Sequence, residues 1–236
     1  MFVTVACVPF RPRVAVLALL VLVLAVLAGA SPASADDDHH PPELPNLLRG
    51  GSFEHPRVQP GSSHPFASIR GWRLAYGPNF ELQNGLVGPA AAGHQYAELD
   101  SDASTGIFQR VRTHADTNYR LEFCASARPG TPPAENVLMV RWHRRLLTRI
   151  VLDGRHHLHT DWHAYAFKVK AVGSRTRLQF NDRGISDSVG TLLDAVSVTL
   201  WRGHPTAWPQ DDQGGEKGDH GHGHPACGEP RHGGDG

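Results

Sequence analysis

The 236-residue chain has little cysteine, no excess of either charge, and no long hydrophobic run after its first 30 residues. Three cysteines are too few for the disulfide framework of a small secreted scaffold, so a hydrophobic core has to stabilise the fold. Basic and acidic side chains number 23 each, which gives no electrostatic argument for nucleic acid or an anionic membrane as a partner. The motifs of P-loop, dinucleotide-binding and serine-hydrolase enzymes are also absent, and we therefore expect a protein that is not an enzyme.

The first 35 residues depart from this composition. Arg11 and Arg13 precede an apolar run over residues 14–30, and Pro32 and the small residues 33–35 follow it. This is the layout of a secretory signal peptide, so we predict cleavage of residues 1–35 and a secreted protein. An apolar run of 17 residues is near the lower limit for a bilayer span, so an uncleaved membrane anchor is the alternative. After cleavage, no later segment is apolar enough to span a membrane.

Three regions of different composition follow the predicted signal peptide. Residues 36–45, "DDDHHPPELP", are charged and proline-rich, and we expect a disordered lead-in. Residues 46–201 are the only region with sustained apolar periodicity, and they are long enough for one domain with its own core. Residues 202–236 are rich in glycine, histidine and acidic residues, and we expect a disordered tail whose "HGHGH" segment would bind transition-metal ions only loosely.

The central region alternates apolar and polar residues with the period of a half-buried strand. Turn-forming clusters such as "ARPGTPP" and "NDRG" separate the alternating segments. Several short strands with turns between them are typical of an antiparallel β-sandwich. The segments that alternate most clearly are 107–111, 119–123, 136–142, 165–171, 177–180 and 195–201.

Motifs spread over the central region carry a resemblance to a known fold. In chain order they include "NLLRGGSFE" (46–54), "HQYAELD" (94–100), "GIFQRV" (106–111), "NYRLEFCASARPG" (118–130) and "LLDAVSV" (192–198). Their order and spacing resemble the galactose-binding-like jelly-roll sandwiches, and most of all the secreted family called domain of unknown function 642. The region is more distantly similar to the related carbohydrate-binding modules, and the resemblance covers nearly all of residues 46–201.

This resemblance implies an extracellular, non-catalytic module that binds carbohydrate or cell-envelope polysaccharide. The alternative is an extracellular protein-interaction or adhesion module without a sugar site. The chain departs from the resembled family in its many arginines and histidines, as in "VRWHRR" over residues 140–145. No nucleic acid partner is expected.

The resemblance also implies a structural calcium ion. In the similar modules, an acid at the end of the opening motif and the aspartate of the last strand hold Ca²⁺, and the matching positions are Glu54 and Asp194. Backbone carbonyls and water would have to complete the six to eight oxygens that Ca²⁺ requires. The alternative is that both acids cap turns without a metal. In the same motif, Gly50 and Gly51 would serve the backbone and Phe53 the core of a first strand.

Aromatic rings are the usual surfaces on which sugars stack, and the chain offers several. Within "MVRWHRR", Trp142 shares a strand face with Arg144, and the two form a candidate platform of ring and donor. The alternation leaves open which face of that strand is inside. Tyr76 is a further candidate ligand-binding residue.

A dense group of histidines raises the question of a metal site. His157, His159, Asp161 and His163 would share one face of an extended strand. No paired cysteine or His-Glu-x-x-His motif supports zinc, so we expect a solvated, weakly basic surface, with a metal-handling protein as the alternative.

Two cysteines remain after removal of the signal peptide, which contains Cys7. In "YRLEFCASA" the apolar residues alternate so that Cys124 lies on the outer face of its strand. A disulfide from Cys124 to Cys227 and two free or intermolecular thiols are both open interpretations in an exported chain.

Overall fold

The computed structural model describes residues 44–202 and Cys227. The predicted signal peptide, the lead-in up to residue 43 and the remainder of the tail lie outside the described residues. In the part of the chain that the structure describes, no helix is long and apolar enough to cross a membrane.

The alternating segments form strands, together with shorter strands in the first half of the domain. In chain order the strands of the described residues are β1 (Ser62–Phe66), β2 (Arg73–Tyr76), β3 (Phe80–Asn84), β4 (Gln95–Glu98), β5 (Gly106–Arg112), β6 (Asn118–Ser126), β7 (Val137–Trp142), β8 (Arg145–Val151), β9 (His163–Lys170), β10 (Arg175–Asp182) and β11 (Leu192–Leu200).

The strands pair into two antiparallel sheets. Sheet A has the order β1-β3-β4-β11-β6-β9, and sheet B has the order β2-β5-β10-β7-β8. Strands that follow one another along the chain often belong to different sheets, as β4, β5 and β6 do, so the chain crosses repeatedly between the sheets. The predicted fold class, an all-β antiparallel sandwich of jelly-roll type, is confirmed.

The core consists of the inward-facing residues of both sheets and contains a continuous series of aromatic rings. Phe53 stacks on Trp72 with ring centres 5.7 Å apart, and Trp72 lies 5.9 Å from Phe180. Phe180 of sheet B in turn meets Phe123 of sheet A edge-on at 5.1 Å. All four side chains are at most 1% exposed, so this series links the two sheets and the opening segment.

The opening segment, residues 46–54, lies beside β11 but is not a strand, so its prediction as the first strand is wrong. Its backbone does pair locally, because the Leu47 N–H donates to the Val198 carbonyl at 2.8 Å and the Val196 N–H donates to the Gly51 carbonyl at 2.9 Å. Positive φ angles of 62° at Gly50 and 57° at Phe53 interrupt an extended ladder.

Cys124 lies on the outer face of β6, opposite the core-facing Phe123. In the structure it forms a disulfide with Cys227, and the two Cα atoms are 6.1 Å apart. The bond attaches the chain at residue 227 to the outer face of sheet A.

Candidate functional site

An open cleft of about 630 Å³ lies on the outer face of sheet B. We call it the arginine cleft. Its side chains come from three neighbouring strands and from the turn between β7 and β8, and they are Arg110, Arg141, His143, Arg144, Arg175, Arg177 and Gln179.

Strand alternation places these side chains in solvent. Ile107 and Val111 of β5 are at most 1% exposed and face the core, so Arg110 between them points outward. Leu178 and Phe180 of β10 are fully buried in the same way, which turns their neighbours in β10 to the outer face.

Arg177 lines the cleft and packs against an aromatic ring. Its guanidinium carbon lies 3.7 Å from the centre of the Phe108 ring, a close cation–π contact. Burial and then the charge of Arg110 lower the pKa of Arg177, since both disfavour its charged form. Its Nε is buried and has no hydrogen-bond acceptor among the described residues.

The expected platform of Trp142 and Arg144 does not form, because Trp142 faces the core. The Trp142 side chain is 4% exposed, and its Nε1 donates to the Lys170 carbonyl at 2.9 Å. A neighbouring ring, that of Tyr119, is 6.5 Å away. Arg144 is exposed in the turn and does line the arginine cleft.

Tyr76 lies at the end of β2 and does not line the arginine cleft. Its hydroxyl donates to the Asp182 carbonyl at 2.6 Å, and Arg183 lies over its ring at 4.6 Å. Burial is the main reason that the pKa of Tyr76 is raised to about 12. Tyr76 thus contacts the end of β10 and the residue after it, and the structure does not bring it together with Arg144.

Sequence reasoning did not select most residues of the cleft. The alternation in 107–111 and 177–180 does place Arg110 and Arg177 on the polar faces of their strands. The pairing of these two strands depends on contacts between residues far apart in sequence, which the alternation does not reveal. In the structure Arg110 is directly opposite Arg177, and Arg112 is opposite Arg175.

The two carboxylates predicted to hold calcium both contact the loop before β4. The N–H groups of His94 and Gln95 donate to Glu54 Oε1 at 2.8 and 2.9 Å, and the Ala92 N–H donates to Asp194 Oδ2 at 2.9 Å. Asp194 is fully buried, and burial raises its pKa, with the negative charge of Glu54 adding to the effect.

Calcium at this pair of carboxylates stays a prediction, and the hydrogen bonds that the structure describes to them come from backbone N–H groups. Within residues 44–202, neither carboxylate forms an ion pair with a basic side chain. The same described region contains no group of three or more His, Cys, Asp or Glu side chains suited to a metal ion. Backbone carbonyls and water would therefore have to supply the remaining oxygens around Ca²⁺.

The predicted histidine strand is a loop, because β9 begins only at His163. The loop nevertheless brings two of the histidines to one acid, since Asp161 Oδ2 is 3.4 Å from His157 Nδ1 and 3.2 Å from His163 Nε2. His159 lies elsewhere, in a second cavity.

That second cavity, of about 650 Å³, lies between loops and is mainly apolar. Leu158 on its wall is 87% exposed and Leu86 is 41% exposed. The other residues around it are Gly85, Val87, Gly88, Pro89, Pro129 and His159.

No family model matches the chain, so membership of the family called domain of unknown function 642 stays a prediction. A relative among curated proteins is the multifunctional-autoprocessing repeats-in-toxin protein of Vibrio vulnificus. It is 23% identical over 157 residues, which cover 65% of this chain but 3% of that protein. The chain therefore spans a very small part of that relative.

Solved structures similar to this chain include carbohydrate-binding modules. A family 61 module in complex with β-1,4-galactotriose is 12% identical with a TM-score of 0.45, covering 66% of this chain and 99% of its own. A family 22 xylan-binding domain from Paenibacillus barcinonensis is 15% identical with a TM-score of 0.41, covering 61% and 96%. A family 35 module from Clostridium thermocellum is 14% identical with a TM-score of 0.36, covering 58% and 90%. These values assign no ligand to this chain.

Proposed function

We propose that residues 46–201 form a non-catalytic module that binds carbohydrate in the arginine cleft. The observation that carries the proposal is the open cleft of about 630 Å³, to which β5, β10 and β7 contribute side chains. Guanidinium and amide groups donate hydrogen bonds to the oxygens of sugars. Strands about 4.8 Å apart repeat these donors at a spacing close to the length of one sugar ring, which suits an extended chain.

The composition of the cleft supports binding rather than hydrolysis. Glycoside hydrolysis in most enzymes uses two carboxyl groups that flank the scissile bond. The seven residues that line the cleft include no aspartate or glutamate. A sugar chain held there would meet donors but no pair of acids.

Removal of one central arginine should weaken binding to polysaccharide. Arg177→Ala is expected to reduce affinity for the polysaccharide that binds best by about 10-fold, because it removes a charge-assisted donor. Lys168→Ala is the matched control, since it removes one positive charge from sheet A. Affinity electrophoresis against neutral and acidic polysaccharides measures the affinities of both variants and of the unchanged protein. If no polysaccharide retains the unchanged protein, the proposed function is contradicted.

A protein-interaction module without a sugar site is the second candidate. The observation that favours it is the apolar loop cavity with the exposed Leu158. A specific protein partner that is lost on Leu158→Ser, together with the absence of polysaccharide binding, would support this alternative over the first.

We further propose that Glu54 and Asp194 hold a structural calcium ion, which would neutralise two neighbouring carboxylates and fix the loop before β4. Calcium is expected to raise the melting temperature relative to a chelator, by an amount that corresponds to about 3 kcal/mol at a hundredfold excess over the dissociation constant. Glu54→Gln should abolish the increase. Asp116→Asn, which changes an exposed carboxylate paired with Lys170, should preserve it. Equal melting temperatures of the unchanged protein in calcium and in chelator would exclude the site.

Export of the protein is also a proposal. The signal-peptide layout of residues 1–35 supports it, and so does the Cys124–Cys227 disulfide, because such bonds persist in oxidising compartments.

A further inference from the structure

Charged residues are distributed very unevenly between the two sheets. The strands of sheet B contain eight arginines and a single acid, Asp182, which is fully buried. The strands of sheet A contain three lysines and arginines and four acids. Since the whole chain has equal numbers of basic and acidic residues, the positive potential is local to sheet B.

The register of β5 and β10 concentrates four of these arginines. Arg110 is directly opposite Arg177, and Arg112 is directly opposite Arg175. Like charges in directly opposite positions destabilise a sheet. Among the described residues, no carboxylate forms an ion pair with any of the four. The fold therefore maintains a block of mutually repelling guanidinium groups on a solvent-exposed face.

An anion bound on this face would relieve the repulsion within the block. It would offset the repulsion between the opposed arginines, and it would accept hydrogen bonds from their exposed guanidinium N–H groups. Arg177 is already ordered by its 3.7 Å contact with Phe108, so little side-chain freedom is left to lose on binding.

The shape of the block favours carboxylates spaced along a sugar chain. The planar guanidinium fork matches a carboxylate through two parallel hydrogen bonds. Opposed residues on adjacent strands are about 5 Å apart, and successive outward residues on one strand are about 7 Å apart. The arginines are therefore spaced regularly, as are the anionic groups of a charged polymer. Single-stranded nucleic acid would require exposed rings for base stacking, whereas the Phe108 ring in this region is covered by Arg177.

We propose that the arginine cleft binds a polyuronate, a polysaccharide whose sugar rings carry carboxylates. The Arg110–Arg177 pair and Arg175 in the cleft would face those carboxylates, together with Arg112, which lies outside the cleft lining but directly opposite Arg175. This inference rests on the proposed carbohydrate function and specifies its ligand class.

The test compares polygalacturonate with the same polymer after full methyl esterification, which retains the sugar rings and removes the charge. The purified full chain is expected to bind polygalacturonate at least about 10-fold more tightly than the ester, because a charge-assisted bond is stronger than a neutral one. This preference should shrink as salt is raised. The double variant Arg110→Gln/Arg177→Gln should lose about 100-fold in affinity for polygalacturonate, and Lys168→Gln/Lys170→Gln on sheet A should lose little.

Stability provides an independent readout of the block. The Arg110→Gln/Arg177→Gln variant should lose little stability, because relief of the repulsion between the opposed arginines offsets the lost contact of Arg177 with Phe108. If it fails to fold, Arg112→Gln/Arg175→Gln provides the same comparison at the neighbouring pair.

The possible outcomes separate this inference from the proposed function. Equal binding of the ester and the acid, or binding of neutral polysaccharides only, would overturn the polyuronate inference and leave carbohydrate binding in place. Absence of binding to every polysaccharide would overturn both. Tighter binding of dextran sulfate, which carries no carboxylates, or of single-stranded DNA, lost in the same arginine variants, would identify a general polyanion site and overturn the inference as well.

Discussion

Replacement of Trp142 by alanine is expected to lower the free energy of unfolding by about 3–5 kcal/mol, the cost typical of removing a large buried aromatic ring. The Trp142 side chain is 4% exposed, and its Nε1 donates to the Lys170 carbonyl. Alanine would leave a cavity between the sheets and a carbonyl without this donor. Chemical denaturation followed by the fluorescence of the remaining tryptophans measures the loss.

Trp142→Phe separates a core role from a ligand-binding role. Phenylalanine retains most of the buried area, so the variant should fold, and its affinity for polygalacturonate should remain within about twofold of the unchanged protein if the ring has no contact with ligand. Trp162→Ala is the matched control for stability, because that ring is only partly buried and should cost less to remove. A folded Trp142→Phe variant that no longer binds polysaccharide would contradict the core assignment.

The strands that could be predicted from the sequence are those with one face inside and one outside. The alternation of 119–123 and 177–180 identifies parts of β6 and β10 because the polar partners in these segments reach solvent. β4 offers no such signal, since all four of its residues are buried and Gln95 and Glu98 lie beside Tyr96 and Ala97. β1 is an edge strand that contains Pro65, which weakens its strand signal.

The site was less predictable than the fold because it depends on which strands are neighbours. The alternation in residues 140–145 correctly separates Arg141 from Trp142, but it cannot tell which of the two faces the core. Burial of Val140 and Trp142 decides this in favour of an outward Arg141. The Arg110–Arg177 pair joins residues far apart along the chain, and only the strand order brings them together.

The pH dependence of stability is expected to be unusual for a protein with this many acids. Burial raises the pKa of Asp182 from 3.8 to about 6, although the Ser104 hydroxyl and the Gly184 N–H donate to its Oδ2 at 2.8 and 3.1 Å. Burial likewise raises the pKa of Glu98 to about 7, against the attraction of Arg128, whose Nη1 lies 2.5 Å away. Both side chains are at most 1% exposed.

The sign of the effect follows from proton binding. The folded protein keeps the proton on Asp182 up to about pH 6, whereas the unfolded chain releases it near 3.8. The folded state therefore binds more protons between these values, so the contribution of Asp182 to stability falls as pH rises through about 4–6 and is constant above. Glu98 acts in the same direction up to about pH 7.

Asp182→Asn is therefore expected to raise the free energy of unfolding by about 1–3 kcal/mol near pH 8 and to change it little near pH 4, because a neutral amide has no charge to desolvate. Urea denaturation at both pH values, in the presence of a chelator so that Glu54 and Asp194 hold no calcium, measures the difference. Asp153→Asn is the control, since Arg155 lowers the pKa of that exposed carboxyl to about 2, below the window. An Asp182→Asn variant that is destabilised equally at both pH values would show that the Asp182 carboxylate stabilises the domain through its hydrogen bonds rather than opposing folding through its charge.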